Sequence, residues 1–340
     1  MKITGMAGLA WGVFAVLSAT GLQAQDGKAF IFHDAPGQSL DVVRDGKVAG
    51  RYMYAYDSSD KKKREETFKP YLHVFDAEGK APITKGAGGE FPHHRGIFIG
   101  WSKVSCGGQT YDRWHMKGGE QIHRKFGLRE ADAAHATFTS LVDWTDESGR
   151  PILTEERAMT FRRAPLPDCQ IIDFASKITA PAGDAVLDGD PEHAGIQFRS
   201  AAEVDRTKTS YVFPGEATDT KTCLDLPWIG ATISLNGKLY SIVEMNHPGN
   251  PQGTKTSATR DYGRFGFFPK ASIKAGESAT FQYRFLIAEG GMPSAEAIQK
   301  ICNEFTGRSD PAPKLTVKSG QAKGAKSAEA AAKTTQEISP

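Results

Sequence analysis

At 340 residues the chain is long enough for one large all-β unit with tails or for two smaller domains. Its formal net charge is only +2, and from Arg308 onward Arg308, Lys314, Lys318, Lys323, Lys326 and Lys333 outnumber Asp310, Glu329 and Glu337, so the body of the chain is close to neutral. That excludes the basic footprint of a nucleic-acid binder.

The first 24 residues, "MKITGMAGLAWGVFAVLSATGLQA", set Lys2 ahead of an apolar centre and place small residues before Ala24. This is the layout of a signal peptide cleaved after Ala24, with an uncleaved anchor as the alternative, since the span is just long enough to cross a bilayer. No cysteine lies near the cut, so a lipoprotein is not expected. No later stretch could span a membrane, and the mature chain is expected to be exported, either periplasmic or extracellular.

Short β-like runs follow, rich in branched and aromatic residues and often alternating: "KAFIF", "LDVVRDGKVAGRYMYAY", "YLHVFDAEGKAPITKG", "RGIFIGWSKV", "HATFTSLVDWTDESGRPILTEERAMTF", "CQIIDFASKITA", "HAGIQFRSAAEV", "IGATISLNGKLYSIVEM" and "ATFQYRFLIAEG". Hairpin turns are expected at Asp45-Gly46, Glu78-Gly79, Ser148-Gly149 and, most clearly, Asn236-Gly237. The run "KKKREE" at 61–66 balances its own charge and reads as a solvated loop, not a phosphate patch. One helix is expected in "MPSAEAIQKICNEF", capped by Ser294, with Ile298, Ile301 and Phe305 at helical spacing. Beyond residue 307 large apolar residues almost vanish, so 308–340 is expected to be a disordered Ala/Lys-rich tail. The fold class is thus all-β: a large antiparallel β-sandwich over 25–307, a single domain with a short C-terminal helix. Cys106, Cys169, Cys223 and Cys302 form no CxxC pair, which argues against a zinc knuckle or dithiol motif and leaves disulfides and free thiols both open.

Four polar clusters could carry chemistry: "EFPHHRG" around His93, His94 and Arg95; "DRWHMKGGEQIHR" with Asp112, His115 and His123; "DGDPEHAGIQFR" with Glu192, His193 and Arg199; and "EMNHPGNP" with "RDYGRFGFFP", holding His247, Tyr262 and Arg264. Imidazole moves protons near neutral pH or binds metals, and a carboxylate behind it fixes its tautomer. His193 is the leading candidate for a base, oriented by Glu192 or a neighbouring acid, with His93 or His94 as the acid. Arg95, Arg199, Arg264, His247 and Tyr262 are candidates for substrate binding, and Trp101, with Trp114 and Trp228, for stacking on a sugar ring. His33, His73 and His135 read as structural, and Trp144 as core. No HExxH occurs and His115 with His123 is too loose a pair to be diagnostic, so no cofactor is assigned. A divalent metal held by one histidine per cluster stays open. Dinucleotide, P-loop and GxSxG signatures are absent.

The pieces "KPYLHVFDAEGKAPITKG", "FPHHRGIFIGW", "EHAGIQFR" and "NHPGNP...YGRFGFFP" resemble a family of exported bacterial proteins labelled PmoA-related, a domain of unknown function. The resemblance covers nearly all of the mature chain. It implies a β-supersandwich of galactose-mutarotase type and a setting among sugar-oxidising and sugar-degrading enzymes, with His93, His94, Arg95, His193, Arg199, His247 and Tyr262 as the matching polar positions. It does not imply methane oxidation, because the oxygenase subunit of that name spans the membrane several times. The family pattern often reads His-Pro-His-His-Arg where this chain has Phe91 first, which weakens a metal role for this loop. The expected function is acid/base chemistry on a small-molecule carbohydrate by a lyase, epimerase or glycoside-cleaving enzyme, with an oxidised sugar among the candidate substrates. The competing class is a non-catalytic carbohydrate-binding or scaffold protein of the cell envelope.

Overall fold

The computed structural model describes residues 29–181, 183–219 and 222–322, so the expected signal peptide and the end of the tail lie outside the described residues. Two large sheets face one another. The first has eight strands in the order Phe30–Ala35, Ser39–Arg44, Lys47–Met53, Tyr71–Val74, Ile97–Trp101, Ala194–Arg199, Arg264–Phe268 and Lys255–Ala258. The second has nine, in the order Leu315–Ser319, Ser210–Pro214, Trp228–Leu235, Lys238–Asn246, Ser278–Glu289, Cys169–Thr179, Pro151–Arg163, His135–Thr145 and Gln121–Ala131. A small four-stranded sheet joins Ala271–Ile273, Ala185–Asp188, Lys103–Cys106 and Gln109–Tyr111. Neighbouring strands pair antiparallel throughout, as in the expected sandwich.

Alternation decides which residues fill the space between the sheets. Along residues 135–144 the buried positions are Ala136, Phe138, Ser140, Val142 and Trp144, every second residue, and Thr145 at the strand end is buried as well. Ile97, Ile99 and Trp101 belong to the same core, while Phe98, between them, packs on the opposite face with Tyr71 and Trp114. The Asp45-Gly46 and Asn236-Gly237 turns take the left-handed conformations a two-residue hairpin requires, with φ of 53° and 77°, and of 52° and 79°.

The helix Ala295–Thr306 starts at Ser294, whose side chain accepts from the Ala297 N–H, and stops at Gly307 in the left-handed conformation. Ile298, Ile301 and Cys302 cover Trp228, Val243 and Leu286 on the outer face of the nine-stranded sheet. Two expectations are corrected. The charged run is not a loop but the helix Lys61–Thr67, capped by Asp60; none of its residues is buried. The described part of the tail, to residue 322, is also not without structure: Leu315–Ser319 pairs with Ser210–Pro214 and is itself the ninth, edge strand of the larger sheet. Backbone pairing is what holds this segment, and a hydrophobicity argument cannot detect it. The four cysteines are free thiols. No helix among the described residues is long and apolar enough to cross a membrane.

Two buried polar features have opposite characters. Glu155 and Arg157 form a forked ion pair with neither side chain exposed, at 2.8 Å for both contacts. Trp144 Nε1 and Ser176 Oγ also donate to Glu155, and Arg157 donates to the Pro70 carbonyl oxygen. Glu244, by contrast, is fully buried with neither carboxyl oxygen hydrogen-bonded, and burial pushes its carboxyl well above the usual carboxylate range. The folded state therefore keeps a proton that the unfolded chain releases above the ordinary glutamate value, so stability falls as pH rises, by up to about 1.4 kcal/mol per unit. Glu244→Gln should remove that slope: urea titrations at pH 4 and pH 8 should show the variant gaining on the parent at pH 8. A difference that does not change with pH would mean that Glu244 ionises normally in the folded protein.

Candidate functional site

The site forms on the outer face of the eight-stranded sheet, over Phe98 and Gly100. Three separate segments lie across it. The loop before Ile97–Trp101 brings His93 and His94, the turn after Tyr111 brings His115, and the turn before Ala194–Arg199 brings His193. These approach from different directions, since Ala194 pairs with Trp101 while Phe198 pairs with Ile97. The histidines therefore meet over the face of the sheet and not at one strand end. Gly100 allows this approach: a Cβ there would run into the Arg113 carbonyl oxygen, which is held over the sheet by the Arg113 N–H donating to Trp101 O at 2.8 Å.

His93, His115 and His193 each offer a ring nitrogen, and these atoms lie within 4.8 Å of one another. Ring centroids are 4.4 Å apart for His93 and His115, 4.9 Å for His115 and His193, and 6.0 Å for His93 and His193. Two of the rings are fixed from behind. Nδ1–H of His115 donates to Asp112 at 2.8 Å, and Nδ1–H of His193 donates to both oxygens of Asp190 at 2.9 Å. Each ring thus keeps Nε2 for a ligand. Burial acts to raise both aspartates, but the histidine and backbone N–H donors outweigh it and hold the carboxyls below their usual range. Nε2 of His93 is buried with no protein partner, and burial, reinforced by the nearby Lys69 side chain, drives this imidazole down to about 2, so it stays neutral.

His94 backs His93 at 4.2 Å ring to ring; it is buried with neither nitrogen hydrogen-bonded, and burial holds it neutral as well. Beneath lies Trp114, 4.7 Å from Phe98, with Lys69 donating to the Trp114 carbonyl oxygen at 2.7 Å. Glu192 does not orient His193; Asp190 does. The Oε1 of Glu192 pairs with Arg260 and lies 3.7 Å from Arg264, whose guanidinium also donates to the Glu192 backbone oxygen at 2.7 Å.

Other expected site residues have structural duties. Trp101 is wholly buried, donating to the Pro269 carbonyl oxygen, so it presents no face to a sugar; Trp114 and Trp228 are equally enclosed. Arg95 is buried and donates to the carbonyls of Glu65, Glu66 and Pro92, docking the short charged helix beside the site. Arg199 is buried under Tyr262, donating to the Tyr262 and Ser200 carbonyls with its guanidinium 4.5 Å from the tyrosine ring. Arg264 is buried as well and acts through Glu192. His247 lies elsewhere, with its ring 5.2 Å from Phe305 of the C-terminal helix.

His115 and the two aspartates are the members that sequence reasoning undervalued. A shared signal was present, because Asp112-Arg-Trp-His115 and Asp190-Pro-Glu-His193 both read Asp-x-x-His. The signal is not specific: Asp132-Ala-Ala-His135 reads the same and forms a comparable pair, outside the cluster.

A family model described as a family of unknown function, DUF6807, matches residues 39–303. The chain belongs to this family. All four histidine-bearing clusters fall within the matched span. No curated protein matches the chain. Among solved structures, a heparan sulfate lyase mutant from Pedobacter heparinus aligns over 79% of this chain and 36% of its own, at 9% identity and a TM-score of 0.34. A galactose mutarotase related enzyme from Lactobacillus acidophilus aligns over 77% of this chain and 100% of its own, at 6% identity and a TM-score of 0.32. A Glycoside Hydrolase Family 97 enzyme from Pseudoalteromonas sp. strain K8 aligns over 81% and 36%, at 10% identity and a TM-score of 0.32. The chain thus spans about a third of the length of the lyase and of the hydrolase.

Proposed function

We propose that this DUF6807 protein is an exported, carbohydrate-active enzyme that carries out acid/base chemistry at a sugar carbon, around a divalent metal ion held by His93, His115 and His193. The observation that carries the reading is the meeting of three imidazoles from distant segments, two of them backed by carboxylates. Neutral imidazoles with a carboxylate behind the second nitrogen form the donor set that suits zinc and its borderline neighbours, and Asp112 and Asp190 offset the charge of the ion. A divalent ion held by these three imidazoles would supply Lewis-acid polarisation of a sugar oxygen or activation of water.

The remaining roles belong to the chain. Asp112 and Asp190 hold His115 and His193 in the tautomer that presents Nε2. Glu192, next in sequence to His193, is clamped through Oε1 by Arg260, which leaves Oε2 to accept a proton from a carbon next to a carbonyl and either to return it to the leaving oxygen, as in a lyase, or to leave reprotonation of the other face to a second acid, as in an epimerase. This reaction class covers lyases and epimerases acting on an oxidised sugar. The carbohydrate assignment draws on the motif resemblance, and export on the N-terminal sequence.

The test is incubation of the mature protein with glycosides and their keto derivatives, followed by mass spectrometry, with and without chelator. Turnover should disappear on chelation and return with added Zn²⁺ or Mn²⁺. Turnover that survives chelation would assign proton transfer to the imidazoles themselves. Thermal stabilisation by a sugar without turnover would make the protein a carbohydrate binder.

A further inference from the structure

We infer that the carbonyl oxygens of Gly86, Gly88 and His94 form a cradle for a monovalent cation, that the Lys85 side chain fills it from within the chain, and that Lys85 is thereby the positioning residue of the histidine loop. The inference rests on the proposed metal site only for its effect on the metal. Residues 86–95 leave and rejoin the eight-stranded sheet at one point: the Lys85 N–H donates to the Arg199 oxygen at 3.0 Å, and the Lys85 oxygen accepts from the Gly96 N–H at 2.8 Å. The loop is therefore tied at its neck, in the manner of an Ω-loop. Between the ties there is neither helix nor strand, and Gly88 and Gly89 take left-handed conformations with φ of 77° and 65°. Such a segment has little propensity of its own to hold His93 and His94 in place.

Lys85 supplies what the loop lacks. It is only 5% exposed, and its stem passes Gly89, where a Cβ would come within 4.0 Å of Lys85 Cε. Its Nζ donates to the Gly86 oxygen at 3.1 Å, to the Gly88 oxygen, and to the His94 oxygen at 3.4 Å. An ammonium has three N–H donors, and here all three end on carbonyls of one loop. Burial, with the Arg199 and Arg95 guanidiniums nearby, brings this ammonium down to about 8, so it keeps its proton at neutral pH. A cation enclosed by backbone carbonyls, with no carboxylate in contact, is the arrangement in which carbonyl dipoles replace the hydration shell of a potassium-sized ion. The His94 carbonyl belongs to the residue next to His93, so the cation fixes the backbone that carries the His93 ring.

The test starts from metal-free protein. Hydrogen–deuterium exchange is followed by mass spectrometry in the parent, Lys85→Met and Lys85→Ala, in ammonium chloride and in tetramethylammonium chloride at equal concentration. In tetramethylammonium both variants should exchange about tenfold faster or more in peptides covering 86–95, with the rest of the eight-stranded sheet as in the parent. Zn²⁺ affinity, measured by calorimetry, should fall by about tenfold or more alongside. Ammonium should restore slow exchange and Zn²⁺ affinity to Lys85→Ala, whose cradle it can enter, and not to Lys85→Met, whose stem still fills the space. Exchange as slow as the parent's in both variants, or a loss in Lys85→Ala that ammonium does not relieve, overturns the cradle. Faster exchange throughout the sheet overturns the positioning role and makes Lys85 a residue of general stability. A parent that binds no Zn²⁺ while the exchange changes appear would remove the metal reading of the histidines and leave the cradle standing; Zn²⁺ affinity indifferent to Lys85 would keep the metal site and remove Lys85 as its positioning residue.

Discussion

His193→Ala should lower turnover by at least about a hundredfold and abolish stoichiometric metal binding, while the metal-free protein melts within a few degrees of the parent. The asymmetry follows from where the side chain sits. His193 is partly exposed, its hydrogen-bonding partner Asp190 is more exposed still, and neither belongs to the apolar core. Little packing is lost, whereas one donor in three is removed. Asp190→Asn is the finer probe, because it keeps the imidazole and alters only the carboxylate that fixes its tautomer; about 10–100-fold in affinity or activity is the expected cost. The assays are metal titration by calorimetry, turnover by mass spectrometry and scanning calorimetry after chelation. A collapse in the melting temperature of metal-free His193→Ala would assign the residue to stability instead of chemistry.

Arg157→Met should cost about 3–5 kcal/mol, the range for removing one partner of a buried ion pair. The Glu155 carboxylate would be left in the core with only Trp144 Nε1 and Ser176 Oγ as donors. The double variant Arg157→Met/Glu155→Leu should recover part of the loss by removing the stranded charge, but not all of it, since those two donors then lack an acceptor. Arg162→Met serves as the comparison. Its pair with Asp173 is partly exposed, and its loss should stay within about 1 kcal/mol. Denaturant midpoints at a constant m-value decide the matter, and a small loss for Arg157→Met would show that water reaches Glu155. The network also supports the site, because Arg157 holds the Pro70 carbonyl just before strand Tyr71–Val74 and contacts Gln121, whose amide donates to Ile99 O under the histidine loops.

What could be read in the sequence was what is determined locally. Asp45-Gly46 and Asn236-Gly237 specify their turns through backbone conformations available to few residue pairs, and Ser294 with Ile298 and Ile301 specifies a capped amphipathic helix. The helix Lys61–Thr67 was missed because it has no apolar face; it is held by Asp60 at one end and, through Arg64 and Arg95, by bonds to distant parts of the chain. The site was legible residue by residue and not as an assembly. His93 and His193 stood out beside their strands, but only strand order places Ala194–Arg199 next to Ile97–Trp101, and only the close approach at Gly100 brings His115 over them. Trp101 misled for the same reason: its position in a run of β-formers fixes an alternation but not which side of the sheet faces the core.

The last described strand has a consequence for how molecules of this protein keep apart. Without Leu315–Ser319, strand Ser210–Pro214 would offer its unpaired backbone groups to any extended chain, the geometry by which sheets from separate molecules fuse. The strand that covers it has Lys318 within it and Lys314 just before it, charged residues that discourage a further strand from joining. The C-terminal segment thus works as a molecular selvedge: it finishes the border of the nine-stranded sheet, and a chain ended at residue 307 would lose that border while keeping every residue of the histidine cluster.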